Sequence, residues 1–353
     1  MYKILLIRTD RFGEFILNLP AFRAVRKGFP NSHIAVMAQP YIRELIEDNP
    51  DINEVIDYEL ENQKGILPGL KLSWFLKKKK FDLAIIFNPS KKFNIITFLA
   101  GIPLRVGYER KWGFLLTHKI EDKKYLGEKH EVEYNLDLVR LITRRTFTPL
   151  NTPPQAEFNG ASATRFTLKD KNPFIPVKKE DDEFVEKRLT NLYLHVGGVS
   201  GEEGTLIAIH PWTSNSQKQW PIGNFVELAD KISQWEKVKV VIIGGKEERE
   251  FSQQYFANNV KGIVNFAGEF TLGQSAALLK RCKLLVSCDS GPVHLAAAVG
   301  TPVLALFRSG IPGVGAKRWG PWGKGHIVIE KENLEQISVE EVLKAVREIA
   351  IVR

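Results

Sequence analysis

The sequence predicts an α/β protein made of two domains, each a doubly wound parallel sheet. Three observations carry that expectation. Short apolar runs alternate with helix-periodic segments along almost the whole chain, which is the sequence form of a parallel sheet wrapped by helices. The chain has 353 residues, too many for one ordinary core and enough for two domains of roughly 150 residues each. The alternation lapses once, from about Thr148 to Pro176, where Asn, Pro, Thr and Lys collect.

The elements follow in order. MYKILLIRTD has only a short apolar run before Arg8, so it reads as a buried first strand and not as a leader peptide. HIAVMA, EVIDY and FDLAIIF are the next strands, with helical periodicity in LNLPAFRAVRKGF, IRELIEDN and SWFLKKKK between them. Lys77 to Lys80 read as a solvated helix end before FDLAIIF. After the irregular stretch, KKEDDEFVEKRL begins the second half as a helix. TLIAIHP, VKVVIIGG, GIVNFAG, KLLVSCD and TPVLALF then supply strands, separated by helices such as NFVELADKISQW and LGQSAALLKRC. The tail SVEEVLKAVREIAIV is helical, with a cap signal in Ser338 followed by Glu341. This gives an N-terminal domain over 1–160, a linker over 161–180, a second domain over 181–335 and a C-terminal helix over 336–353. Two such Rossmann-like domains face each other across a cleft lined by the carboxyl ends of their strands, where open doubly wound sheets bind ligands.

Charge narrows the partners. The net charge is +9, and residues 1–150 hold 25 Lys and Arg against 18 Asp and Glu, so most of the excess lies in the first half. That side suits an anionic partner: nucleic acid, an anionic membrane face or a phosphorylated substrate. Nucleic acid has only basicity in its favour, because the basic residues are not interleaved with aromatics as in binding modules. The longest charge-free stretch, Gly291 to Phe307, is broken by His294, two prolines and Gly300, so no transmembrane segment is expected. Cys282 and Cys288 sit in or beside an apolar strand, which fits small buried hydrophobes in a reducing cytoplasm and no metal site.

The strand ends hold the candidate chemistry. In SCDSGPVHLAAAVG, a buried strand meets Asp289, Ser290 and Gly291, then a helix begins at Pro292 with His294 in its first turn. Helix-start amides and the positive dipole end suit a phosphate there, with His294 as a further donor and Asp289 as an orienting acid. Ser290 alone could equally be a helix cap, and His294 a packed histidine. A second end, IAIHPWTSNSQKQWP, offers Thr213, Ser214 and Lys218 as phosphate clamps, or simply a polar loop. A third, VVIIGGKEERE, places Glu247 and Glu248 where a carboxylate could take ribose hydroxyls, or where either acid could only decorate a helix start. In the first half, RTDRFGEFILNLP sets Asp10 and Glu14 around a glycine turn, matching neither the dinucleotide nor the P-loop fingerprint. A carboxylate there suits a general base working on a sugar-nucleotide donor, while the plainer role of Asp10 is to cap the following helix.

Those residues, with FDLAII, LRVGYER, KHEVEYNLDLVRLI, and CDSGPVHLAAAVG preceded by K-x-W-P, make the chain resemble the ADP-heptose:lipopolysaccharide heptosyltransferase family, glycosyltransferase family nine, nearly end to end. The resemblance implies the two-domain GT-B architecture and inverting transfer from ADP-L-glycero-D-manno-heptose, without metal or cofactor, to a phosphorylated lipid A–Kdo acceptor at the anionic cytoplasmic membrane face. By position it implies phosphate contacts for Thr213, Ser214 and Lys218, with Lys218 on the diphosphate, and a ribose contact for Glu248 or its neighbour Glu247. It also implies a diphosphate and sugar site at Asp289, Ser290, Gly291 and His294. One departure stands out: the family usually carries Asp as its base after the turn glycine, and this chain has Glu14. Asp10 is the alternative base. Another nucleotide sugar or acceptor is the nearest rival reading. A sugar-nucleotide epimerase of the same fold would need more acids and histidines around the sugar.

Overall fold

Among the described residues, two six-stranded sheets with the same strand order organise the chain. In the first unit, Met1–Pro173, the strands are β1 (Lys3–Ile7), β2 (His33–Ala38), β3 (Glu54–Asp57), β4 (Leu83–Ile86), β5 (Leu104–Tyr108) and β6 (His118–Ile120), paired β3-β2-β1-β4-β5-β6. In the second, Phe174–Arg353, they are β7 (Thr205–His210), β8 (Val238–Ile242), β9 (Ile263–Asn265), β10 (Leu284–Cys288), β11 (Val303–Arg308) and β12 (Ile327–Lys331), paired β12-β11-β10-β7-β8-β9. Among the described residues every strand pairing is parallel. The computed structural model describes residues 1–59, 65–143, 171–195, 204–257 and 262–352, so most of the irregular stretch after Thr148 lies outside the described residues.

Each order reverses between the first and fourth strand of its unit, at β1 beside β4 and at β7 beside β10. Helices leave those neighbours toward opposite faces of the sheet, opening a crevice at the strands' carboxyl ends. Position in the sheet also explains the apolar runs. β4 and β10 are buried along their whole length because neighbours and helices cover both faces. The edge strands β6 and β12 have exposed residues at alternate positions, so they carry no continuous apolar run.

Aromatic side chains fix both cores. Phe22 meets Phe15 and Phe87 edge-on at 5.5 and 5.6 Å. In the second unit Trp220, fully buried, meets Phe225 at 4.8 Å. Its indole N–H donates to the Ile337 carbonyl at 2.9 Å, and its backbone N–H donates to Cys288 Sγ at 3.3 Å. Trp220 therefore nails the loop before it to the end of β10.

Helix ends follow local chemistry. Thr271 and Gln274 form a full capping box at Leu272–Arg281, and Ser90 accepts from the Phe93 amide at the start of Lys91–Leu99. Ser338 Oγ accepts from the Glu341 amide at 3.1 Å, but the Glu341 carboxylate turns to Lys331 at 2.8 Å, leaving half a capping box. IRELIEDN is less helical than its periodicity suggests: a 3-10 turn, Pro40–Ile42, leads to only Arg43–Ile46. Asn49 ends it, its side chain accepting from the Asp51 amide at 2.9 Å across the non-helical Asn49–Pro50 step. The helix Ile66–Lys79 ends at Lys80 in the left-handed region, φ 56°. Its lysines are not uniformly solvated, since Lys79 pairs with Glu54 and Lys78 lies over the Trp74 ring.

Candidate active site

At the β7–β10 switch point of the second unit, side chains from three segments converge. Ser287, fully buried near the end of β10, donates its hydroxyl to the His210 carbonyl at 2.9 Å. Its oxygen also lies 2.9 Å from Ser290 Oγ and 3.1 Å from His210 Nδ1, and Ser290 Oγ is 3.3 Å from the same nitrogen. His210 is enclosed, and burial pushes its pKa down to about 4, so the imidazole is neutral at physiological pH. Ser290 precedes the helix Gly291–Ala298 but makes no side-chain cap bond. Its hydroxyl is committed to His210 and Ser287 instead, so the cap role open from sequence is not the one it plays. His294, in the helix's first turn, is buried with 4 % exposure.

Lys218 reaches the same place from the loop after β7. Its ammonium is 2.5 Å from Asp289 Oδ2, in a partly buried pair. Desolvation raises the Asp289 pKa, and the attraction of Lys218 opposes that rise. Asp289 thus holds Lys218, while Trp220 fixes the backbone two residues beyond it. Thr213 serves the loop itself: its hydroxyl accepts from the Asn215 amide at 3.2 Å, and Asn215 Oδ1 accepts from the Gln217 amide at 3.0 Å. Ser214 is exposed in that loop.

Beyond β8 the chain turns tightly at Gly244 and Gly245. A Cβ on Gly244 would stand 2.9 Å from the Trp212 indole nitrogen, so the ring packs directly on the backbone. Glu247 and Glu248 lie in the short 3-10 turn Lys246–Glu248. Glu247 is exposed, whereas Glu248 folds its carboxylate back, 2.8 Å from where a Gly245 Cβ would stand.

The corresponding crevice of the first unit, at the ends of β1 and β4, is ionic. Arg8, with 3 % exposure, donates from Nε to Asp10 Oδ1 at 2.6 Å, and the other Asp10 oxygen accepts from Asn88 at 3.1 Å. Arg8 Nη1 is 3.5 Å from Glu131 Oε1, which is 2.7 Å from the buried Lys124 ammonium. Lys124 in turn lies 4.3 Å from the centre of the Tyr108 ring. The helix Phe12–Ile16 starts from Arg11 with no side-chain cap, so Asp10 does not cap it. Glu14 stands in that helix's first turn, and its pKa is raised, mostly by desolvation and then by Asp10, against the pull of Arg8 and Arg11. One carboxylate is therefore locked in place and the other is made more basic.

Lys218, Asp289, Ser290, Gly291 and His294 gather at one strand end of the second unit, and Asp10 and Glu14 at one end of the first. His210, Ser287, Arg8, Asn88, Glu131 and Lys124 were not anticipated. The signal for Arg8 was a charge placed directly after the buried run KILLI, where only a paired arginine is tolerated. His210 likewise ends the buried strand TLIAIH.

Known proteins resemble this chain over most of its length. Residues 70–346 match the model of glycosyltransferase family 9 (heptosyltransferase). The lipopolysaccharide heptosyltransferase 2 of Escherichia coli K12 is 26% identical over 324 residues, spanning 88% of this chain and 84% of that protein. The crystal structure of the glycosyl transferase family 9 protein from Veillonella parvula covers 100% of this chain and 98% of its own, with TM-score 0.80 and 21% identity. The E. coli heptosyltransferase WaaC with ADP superposes with TM-score 0.70 at 17% identity, covering 99% of this chain and 100% of its own. The paired Rossmann-like sheets are those of the GT-B class, and the chain belongs to glycosyltransferase family 9, the heptosyltransferases.

Proposed function

We propose that the protein transfers L-glycero-D-manno-heptose from its ADP donor to a lipid A–Kdo acceptor of the lipopolysaccharide inner core, inverting the anomeric centre without a metal. The observation that carries this reading is the meeting of Lys218–Asp289 with the Ser290–His210–Ser287 cluster at a helix start on the β7–β10 switch point. That site offers one ammonium, hydroxyls and helix amides, which is what a leaving diphosphate needs. The bound ADP in WaaC is consistent with it. In this reading the second unit holds the donor. Lys218, Ser214 and the Gly291 helix start meet the diphosphate, Asp289 orients Lys218, Thr213 shapes the loop, His294 lines the sugar site, and Glu248 takes the ribose hydroxyls.

The first unit supplies the base. As the acceptor oxygen bonds to the anomeric carbon, the bond from that carbon to the diphosphate breaks and Glu14 takes the acceptor hydroxyl's proton. ADP then leaves with the bonding electron pair, its charge met by Lys218 and the helix dipole. A raised Glu14 pKa makes it a stronger base than an ordinary carboxylate. Acting on such an acceptor places the protein in the cytoplasm, at the membrane's inner face.

Thermal unfolding with ADP-, UDP- and GDP-sugars tests the donor. A ligand that binds only the folded chain raises the melting temperature with its concentration. ADP-heptose is expected to protect and the UDP and GDP sugars are not; protection by UDP- or GDP-sugars alone returns the donor to another nucleotide sugar.

A further inference from the structure

The helix Ile66–Lys79 turns its large apolar side chains outward. Of its residues only Ser73 and Leu76 are buried, while Ile66 is 81%, Leu67 71%, Trp74 61% and Leu70 48% exposed. Ile66, Leu70 and Trp74 recur every fourth residue and, with Leu67, form one stripe. An amphipathic helix of a water-surrounded protein sends that stripe into its core. Here it faces out.

Lysines border the stripe. Lys71, Lys77, Lys78 and Lys80 are exposed, and no acidic residue occurs from Ile66 to Phe81. The Lys78 ammonium lies 3.3 Å from the centre of the Trp74 ring. The helix Lys91–Leu99, packed against this one, opens with Lys91 and Lys92, contains no acid and ends in the exposed Phe98 and Leu99. Phe114, in the turn packed on that second helix, is 70% exposed.

We propose that this face of the first unit docks on an anionic lipid bilayer. Aliphatic side chains and an indole beside a ring of ammonium groups match the boundary between acyl chains and phosphate headgroups, where apolar groups sink and lysine stems reach back to the charged surface. Nucleic acid pairs with the lysines but leaves Ile66, Leu67 and Leu70 against water. An apolar protein partner covers those three but leaves the lysines without counter-charge. The bilayer interface satisfies both sets at once. Docking uses none of the strand-end residues, and its test contains neither donor nor acceptor, so its failure leaves the transfer reading standing.

The full chain is sedimented with vesicles of phosphatidylcholine alone, or with about one part in three phosphatidylglycerol, at about 0.1 M and about 0.5 M salt. The wild-type chain is expected to bind the anionic vesicles about tenfold or more tightly than the neutral ones, and less at high salt. Leu67→Gln/Leu70→Gln/Trp74→Gln and Lys71→Gln/Lys77→Gln/Lys78→Gln are each expected to lose about tenfold in binding. Their melting temperatures should hold, because the replaced groups are exposed. If one triple variant fails to fold, the other decides. Wild-type chain left in the supernatant overturns the proposal, as do folded variants that pellet like wild type. Self-association that the apolar variant abolishes, without vesicle binding, overturns it in favour of a second copy on this face.

Discussion

The two units share one strand order and put opposite chemistry at the same place. In the first, the β1–β4 switch point holds a buried chain of alternating charge, Asp10, Arg8, Glu131 and Lys124, that fixes one carboxylate beside a second, more basic one. In the second, the β7–β10 switch point holds a neutral histidine and two hydroxyls, with one ion pair aimed by a buried tryptophan. The comparison teaches that strand order chooses where a ligand sits, and the first few side chains past each strand choose what is done to it. In the proposed reaction one switch point accepts a proton and the other supports a departing anion.

Removing the proposed base is the strongest way to break the comparison. Glu14→Gln should lower kcat by roughly 10² to 10⁴, with ADP affinity nearly unchanged, because the proposed reaction puts the donor contacts on the other unit. Glu14→Asp should retain substantial activity. Asp10→Asn sharpens the assignment: since Asp10 raises the Glu14 pKa, its loss should move the acid limb of kcat/KM to lower pH. An acid limb that vanishes in Asp10→Asn and persists in Glu14→Gln would make Asp10 the base.

On the other side, Lys218→Ala should cost about 10² to 10³ in kcat, the scale of losing one preorganised charge stabiliser. Unchanged turnover and ADP affinity would leave the Lys218–Asp289 pair a purely structural link.

The neutral histidine predicts a pH signature confined to the second unit. The folded pKa of His210 is about 4 against an ordinary 6.5, so the unfolded chain binds the proton more tightly. Stability from this group is intact above pH 6.5 and is lost as pH falls toward 4, by about 3 kcal/mol. Denaturant titrations of wild type and His210→Asn across that window should converge at the acid end. Parallel curves would mean that His210 is hydrated. Smallest of all, Ser338→Ala should cost about 1 kcal/mol, measured at neutral pH, because the half capping box leaves a single side-chain cap to remove.

Much of this was legible in the sequence. Central parallel strands are covered on both faces, so KILLI, LAII and LLVSC announce themselves as apolar runs. The Asp289 to His294 stretch was legible because its acid, glycine, proline and histidine follow such a run directly. β5, whose run is broken by Arg105 and Gly107, and the edge strands β6 and β12, whose exposed Lys119, Val328 and Glu330 interrupt any apolar run, were not. The ionic chain of the first unit was hidden for another reason. Arg8 and Glu131 are brought together only by the helix that follows β6, and no local pattern records a pairing made by topology. Ser290 was misjudged as a possible cap because the competing partner, His210, lies 80 residues away.

The hydrogen bond from the Trp220 amide to Cys288 turns a buried thiol into a timekeeper. Burial pushes the Cys288 thiol up to about 12, so it does not react while the loop carrying Lys218 is seated. Cys282 is also enclosed and pushed up to about 12, but its thiol bonds back to the Leu278 carbonyl of the helix it caps and not to that loop. The two thiols therefore keep different clocks. If the Lys218 loop lifts by itself, a thiol reagent should modify Cys288 sooner than Cys282, and ADP should slow only the former; equal rates would mean that the loop opens only when the whole unit does.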